Sequence, residues 1–318
     1  ALTLGEMHPE ARPRPQRVLF HRFFGGYTGG HGKVHDYFNH VRSHPGWWAQ
    51  VHMDPASSWD DNPWRDDPDA LSPSFDPEAA DVLFLGGMDW SQYPVDHHDK
   101  PVINLVQHVR HADPDEPLFQ FLDRRAIRIC VSEPVAHAIQ RTGRVRGPVV
   151  VIDAALNLPP VALPAHRSGV FIDAIKRPSL GRRIADLLSP HCDVLLSDRR
   201  LPRSEYLGAM VSAEVVLTLP HDTEGFYLPA LEAMSFGCAV VVGDCVGNRA
   251  YLRPGVNALM ADDAASYATA ARTLLADPDL RTRLEQAARQ TATAFGLERE
   301  RKAFHRVLDA VDELWSNA

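Results

Sequence analysis

Two glutamates, Glu224 and Glu232, stand with seven residues between them in HDTEGFYLPALEAMSFGCAVVVGD, which runs from His221 to Asp244. Carboxylates accept hydroxyl hydrogen bonds strongly, so the pair suits a ligand rich in hydroxyls. Pro229 fits the first position of a helix, where its missing N–H costs nothing, and Gly237 fits the residue just past the helix end. A helix beginning there leaves the N–H groups of Ala230, Leu231 and Glu232 without intrahelical partners, which makes an anion site. Glu224 then lies on the loop after the apolar run VVLTL (215 to 219) and Glu232 in the first helical turn. One carboxylate can reach a sugar while the other reaches a ribose beside a phosphate. The plainer alternative is that Glu232 complements the helix dipole and Glu224 is a solvated loop acid.

Other segments bring chemistry to strand ends. In HRFFGGYTGGHGKVHDYFNHV, a glycine-rich loop precedes a helix carrying Val34, Tyr37, Phe38 and Val41 on one face. Gly29 and Gly30 there let backbone approach a ligand, or simply make a tight turn. GVFIDAIKRPSLGRR sets Lys176 between a strand and a helix expected to begin near Ser179, and PVINLVQHVRHADP sets His108 after a strand, with Arg110 and His111 as neighbours. A metal reading draws on His31 with His35, on His97-His98-Asp99, and on His108, His111 and Asp113. It fails on ligand count, and H-G-K-V-H lacks the glutamate base of H-E-x-x-H, so no metal is expected. Glycoside hydrolysis by paired carboxylates is disfavoured by their placement around a phosphate-type helix start.

These pieces need a scaffold. The chain has 318 residues with 45% hydrophobic content, which suits two domains. A net charge of -8 argues against a nucleic-acid or anionic-membrane surface. Cys130, Cys192, Cys238 and Cys245 show no C-x-x-C spacing and read as reduced thiols, hence a cytoplasmic location. No apolar run approaches the roughly 20 residues of a spanning helix, and ALTLGEMHPEARPRPQ reads as a disordered leader over 1–16 rather than a signal peptide. Short Val, Ile and Leu runs, each followed by a helical pattern, form two series separated by the proline-rich NLPPVALPAHRS. The expected fold is α/β: two Rossmann-like doubly wound domains facing a cleft, over 17–160 and 161–298, with a helix over 299–318 across the seam. From 43 to 77, Trp47, Trp48, Trp59 and Trp64 among Asp and Pro suggest either an acceptor loop or a surface excursion pinned by its own tryptophans.

EGFYLPALEAMSFGCAVVVGD closely resembles the glutamate, seven residues, glutamate motif of retaining nucleotide-sugar glycosyltransferases of the GT-B fold, as in glycosyltransferase family 4, the glycosyl transferases group 1. The match is specific over residues 215 to 262. The resemblance implies that Glu224 lies by the donor sugar, that Glu232 binds the donor ribose, and that Pro229, Ala230 and Leu231 present the helix start to the diphosphate. Gly225 and Phe226 would meet sugar hydroxyls through their backbones, with Tyr227 and Leu228 in the same donor-binding loop. Gly29 and Gly30 match a Gly-Gly pair bordering donor and acceptor, and His108 a histidine near the sugar. Lys176 matches the lysine of the phosphate clamp. The arginine that precedes it in the family is missing, with Arg177 or Arg182 as stand-ins. CVGNRAYLRPGVNALM resembles a loop of two glycines and a glutamate, but Gly247, Asn248 and Arg249 stand where the glutamate would be. Asp67-Pro68-Asp69 and Asp113-Pro114-Asp115 match the metal-binding Asp-x-Asp of the other major glycosyltransferase fold only in proline-rich acidic loops, where chance matches are common.

The implied reaction is retaining transfer from a nucleoside-diphosphate sugar, such as a UDP- or GDP-sugar, to a small-molecule, lipid-linked or glycan acceptor, without cofactor or metal. A nucleotide-sugar epimerase and a catalytically silent binder are the alternatives. Donor base, sugar, acceptor and oligomeric state stay open. The Arg-, Ala- and Pro-rich composition hints at a bacterial source.

Overall fold

The computed structural model describes residues 14–94 and 99–318, so most of the expected leader and the His97-His98 pair lie outside the described residues. Two separate parallel sheets carry the chain. The first holds β1 (Gln16–Arg22), β2 (Trp47–Met53), β3 (Val82–Gly86), β4 (Val102–Val106), β5 (Ile127–Cys130) and β6 (Val149–Val151), in the order β2-β1-β3-β4-β5-β6. The second holds β7 (Val170–Asp173), β8 (Val194–Ser197), β9 (Val215–Thr218), β10 (Ala239–Val242) and β11 (Leu259–Met260), in the order β11-β10-β9-β7-β8. Unbroken apolar runs such as VINLV and AVVV make these strands because both of their faces are covered.

Helices α1 (Gly29–Arg42) and α2 (Glu133–Gln140) flank the first sheet. The second is flanked by α3 (Pro178–Leu188), α4 (Arg203–Ser212), α5 (Leu228–Ser235), α6 (Ala264–Ala276) and α7 (Pro278–Thr293). In each sheet the strand order reverses, between β1 and β3 and between β7 and β9, and the loops beyond the carboxyl ends of those strands are where ligands gather. Two boundaries differ from the sequence reading. β1 takes Gln16 from the expected leader because its amide pairs with the Gly46 carbonyl at 2.9 Å, and β2 takes Trp47 and Trp48 from the tryptophan-rich segment.

The chain crosses back between sheets where the Leu156 amide meets the Phe295 carbonyl at 2.9 Å. Beyond it the expected single terminal helix is two, α8 (Leu297–Asp309) and α9 (Val311–Ser316), broken at Ala310. α8 lies on α1, with the Phe304 and Tyr37 rings 4.8 Å apart. The polar part of this contact is fully buried. Glu300 accepts from Lys33 Nζ at 3.0 Å, from the Ala155 amide at 2.7 Å, and pairs with His40 Nε2 at 2.9 Å. Lys33 also meets Asp36 at 2.8 Å and donates to the Ala155 carbonyl at 2.7 Å.

Burial raises the Glu300 pKa, but Lys33, His40 and the Ala155 amide outweigh it, and the carboxyl sits below its ordinary value. Its contribution is therefore complete above the unfolded carboxyl pKa and is lost as pH falls through the folded one. Glu300→Ala should cost about 3–5 kcal/mol in urea unfolding at neutral pH, because it leaves the buried Ala155 amide and His40 without their acceptor and the Lys33 ammonium with Asp36 as its remaining carboxylate, and the gap to the unsubstituted chain should narrow in acid. A change below about 0.5 kcal/mol would show the cluster to be incidental.

Candidate active site

α5 begins one residue earlier than its proline suggests. Tyr227 is the N-cap and Leu228 the first helical residue, so Pro229 is second and Glu232 lies in the second turn rather than the first. The Tyr227 amide is taken by the Gly247 carbonyl at 3.0 Å, which is what draws the helix start back. Pro229 has no N–H, and Leu231 is the first residue able to bond back to the cap. The first-turn donors are thus Leu228 and Ala230.

Glu224 sits on the loop between β9 and α5, buried, and forms an antiparallel bridge with His108, which directly follows β4 and Gln107 in the other sheet. Gly225 is required here, since a Cβ would lie 2.0 Å from the Gln107 carbonyl oxygen. Ser132 Oγ closes the junction by donating to the Gly225 carbonyl at 2.7 Å. The Glu224 carboxylate pairs with Lys176 Nζ on one oxygen and stands 3.8 Å from His108 Nε2 on the other. Lys176 also lies 5.3 Å from the centre of the Tyr227 ring. Burial pushes the His108 pKa down to about 4, against the pull of Glu224 and with help from Arg110 and Lys176, so the ring is neutral at neutral pH.

Glu232 is gripped by Arg203, the first residue of α4, whose two terminal nitrogens meet its two carboxylate oxygens. That guanidinium lies over Tyr27 at 5.1 Å and Tyr206 at 5.6 Å, and Tyr206 in turn donates to Asp173 at 3.0 Å. Burial raises the Asp173 carboxyl to about 6, opposed by the Tyr206 hydrogen bond. A cavity of about 480 Å³ between the two sheets takes in Glu224, Glu232, Lys176, His108, Arg200 and Arg203, together with Gly29, Gly30 and residues 226–229. Gly29 and Gly30 open α1, and a Cβ on Gly29 would lie 3.6 Å from the Leu228 side chain, so two helix starts face each other across the cavity. The left-handed glycine of that loop is Gly26, with φ 127, and not either of the pair.

Several expected residues lie elsewhere. Arg177 and Arg182 are not in the cavity wall. Arg182 pairs with Asp198 at 2.9 Å on the surface, and Arg200 and Arg203 from the β8–α4 connection take the cationic positions instead. Their signal was the run DRRLPR at 198–203, between a strand and a helix. Gly247 packs beneath the loop, where a Cβ would fall 2.7 Å from the Glu224 carbonyl oxygen. Asn248 is fully buried and donates to the Gly243 carbonyl at 2.8 Å, and Arg249 points outward to Asp244 at 2.8 Å. None of these three lines the cavity, because the short helical turn from Val246 to Asn248 directs them into the body of the domain and outward.

A second cavity, of about 520 Å³, opens in the first domain and shares Thr28, Gly30, Gln107, His108 and Arg110 with the first. The four tryptophans of 43–77 line neither. Trp64 is fully buried against Phe38 and His35 and Trp47 is in the core, so the segment is pinned by its own rings. His31 and His35 diverge, the first to Arg22 and the second to Trp64 and Asn39. Asp67 pairs with Arg42, and Asp113 accepts from the Asp115 amide in a surface turn. Among the described residues no three His, Cys, Asp or Glu side chains converge as a metal site, and no helix is long and apolar enough to cross a membrane.

Residues 198–291 match the family model described as glycosyl transferases group 1. A D-inositol 3-phosphate glycosyltransferase of Corynebacterium urealyticum is 30% identical over 186 residues, covering 56% of this chain and 43% of that protein. Among solved structures, Anabaena HepE in complex with UDP has a TM-score of 0.70 at 13% identity, covering 92% of this chain and 100% of that one. Sucrose-phosphate synthase from Thermosynechococcus elongatus has a TM-score of 0.67 at 17% identity, covering 94% and 99%. These similarities define the fold class as GT-B. The match to the glycosyl transferases group 1 model lies in the second half of the chain, and the chain spans about half the length of the curated relatives it matches.

Because His108 stays neutral, an NMR titration of its ring protons should show a midpoint near 4. A depressed histidine pKa means that the unfolded chain takes up protons first, so this residue's contribution to stability falls as pH drops below about 6.5. A midpoint at the ordinary histidine value would contradict the buried placement beside Lys176 and Arg110.

Proposed function

We propose that the chain transfers a glycosyl group from a nucleoside-diphosphate sugar to a hydroxyl acceptor with retention at the anomeric carbon. One observation carries this reading: Glu232, the start of α5 at Leu228 and Pro229, and the Glu224, Lys176 and His108 cluster share one cavity between two parallel sheets, while Ala230 and Leu231, expected to face the phosphates, are fully buried outside its wall. HepE, whose fold this chain shares, is described in complex with UDP, and the curated relatives are glycosyltransferases.

In this arrangement Glu232 holds the ribose hydroxyls while Arg203 keeps its carboxylate in place. The Leu228 amide at the helix start, with Arg200 and Lys176, takes the charge that grows on the diphosphate as the bond from the anomeric carbon to its oxygen breaks. The acceptor oxygen bonds to the same face of that carbon, and its proton passes to the departing phosphate oxygen. No protein base is needed: burial pushes the His108 pKa down to about 4, which makes its ring a weak base, and its part is to orient the sugar beside Glu224. Lys176 and the helix start would supply the charge compensation that a metal supplies elsewhere, so we expect no metal requirement. The second cavity, reached past His108, gives an acceptor room and favours transfer over isomerisation of the donor alone. Four free cysteines, three of them buried, fit a reducing cytoplasmic setting.

Glu232→Ala should weaken UDP binding by roughly tenfold or more in calorimetry, the loss of charge-assisted hydrogen bonds. Lys176→Ala should lower kcat by about 10²–10³ with a smaller change in affinity, as for other groups that stabilise charge in the transition state. If the unsubstituted chain binds none of UDP, GDP, dTDP or ADP, the proposal is wrong.

A further inference from the structure

The second cavity differs in character between floor and rim. Its floor is polar and buried. Asp89 accepts from Arg22 Nη1 at 2.8 Å and from the Gly86 amide at 3.0 Å, and stands 3.4 Å from His21 Nδ1. The other guanidinium nitrogen of Arg22 meets His31 Nδ1 at 2.8 Å. A guanidinium only donates, so His31 Nδ1 is the acceptor and the ring proton sits on Nε2. That Nε2–H has no hydrogen-bond partner among the described residues, and His31 lines the cavity. Burial, assisted by Arg22 and against Asp89, pushes the His31 pKa down to about 4. Burial also takes His111, likewise on the wall, down to about 3. The His31 and His111 imidazoles are therefore neutral at neutral pH and the Arg22 charge is matched by Asp89. Such a floor offers directional donors without net charge, which suits hydroxyls better than a phosphate.

The rim is apolar. Phe23 is 53% exposed and Met88 51% exposed, and both line this cavity, with half-buried Leu118 completing a border drawn from three separate loops. Scattered exposed apolar side chains are ordinary, but these large ones line one polar pocket and are left half exposed by the described residues. A small free sugar seated on the floor would leave them in water.

We propose that the acceptor is an amphiphile: a neutral, hydroxyl-bearing head seated on the His31 and Arg22 floor, joined to an apolar extension that leaves across Phe23, Met88 and Leu118. This rests on the glycosyl-transfer reading, under which the shared wall at His108 and Gly30 turns the head towards the donor sugar. Phe23 supplies a flat face and Met88 an adaptable one, so the rim accepts an alkyl or aryl group without defining its exact shape.

The test compares octyl β-glucopyranoside with methyl β-glucopyranoside, both kept monomeric, in calorimetric titrations of the whole chain with and without UDP. The head is the same and only the extension differs. The octyl compound should bind about tenfold more tightly, from partial burial of its added methylenes. The double variant Phe23→Ser, Met88→Ser should reduce that ratio to less than about twofold while leaving UDP affinity unchanged, because neither residue lines the donor cavity. Equal binding of the two glucosides, or a preference that survives the double substitution, would overturn the inference. Failure of the unsubstituted chain to bind UDP would count against the donor reading alone, since the chain-length preference is also read without nucleotide.

Discussion

Everything at the site is referred to one close approach, in which the backbone of Gln107 and His108 presses on that of Glu224 and Gly225 until no Cβ would fit between them. This contact joins the loop after β4 in the first sheet to the loop after β9 in the second. It fixes the carboxylate of Glu224 between a lysine of one domain and a histidine of the other. Desolvation at the same point keeps His108 neutral, so the junction sets protonation as well as position. Gly247 supports it from below, where a side chain would strike the Glu224 backbone. A residue expected to touch a ligand is thereby seen to hold the loop that carries Glu224.

The opposite side of the cleft is fixed by different physics. Lys33 follows Gly29 and Gly30 by one helical turn, and its ammonium is locked by Glu300 from α8, by Asp36 and by the Ala155 carbonyl. A buried ion cluster is weak evidence for added stability, but breaking one is costly, and its geometry is unforgiving. It holds the start of α1 towards the start of α5. The terminal helix is thus part of the means by which two helix N-termini meet over one cavity.

What could be read from the sequence was whatever is locally punctuated. Pro229 and Gly237 bracket α5, and the unbroken Val, Ile and Leu runs mark strands covered on both faces, so the two sheets and the placement of Glu224 and Glu232 beside a helix start were legible. What could not be read depends on partners distant in the chain. The start of α5 moves by one residue because the Tyr227 amide is claimed by Gly247. Arg200 and Arg203 supply cations to the cavity wall, where Arg177 or Arg182 was expected, because β8 lies beside β7 and delivers the next connection to the same sheet edge. Asn248 and Arg249 resemble ligand-facing residues in sequence, yet a short helical turn gives one to the core and the other to Asp244. Trp47 was legible as aromatic but not as strand, since its partner Gln16 stood in an apparent leader, and Trp48 pairs with Arg17 just beyond it.

The central claim is that the start of α5, at Leu228, receives a diphosphate whose ribose rests on Glu232. A crystal structure of the chain with UDP tests it most directly. The account predicts phosphate oxygens within hydrogen-bond distance of the Leu228 amide and of Lys176 or Arg200, with ribose hydroxyls on the Glu232 carboxylate. A nucleotide bound elsewhere, or one whose ribose leaves Glu232 wholly engaged with Arg203, would contradict it.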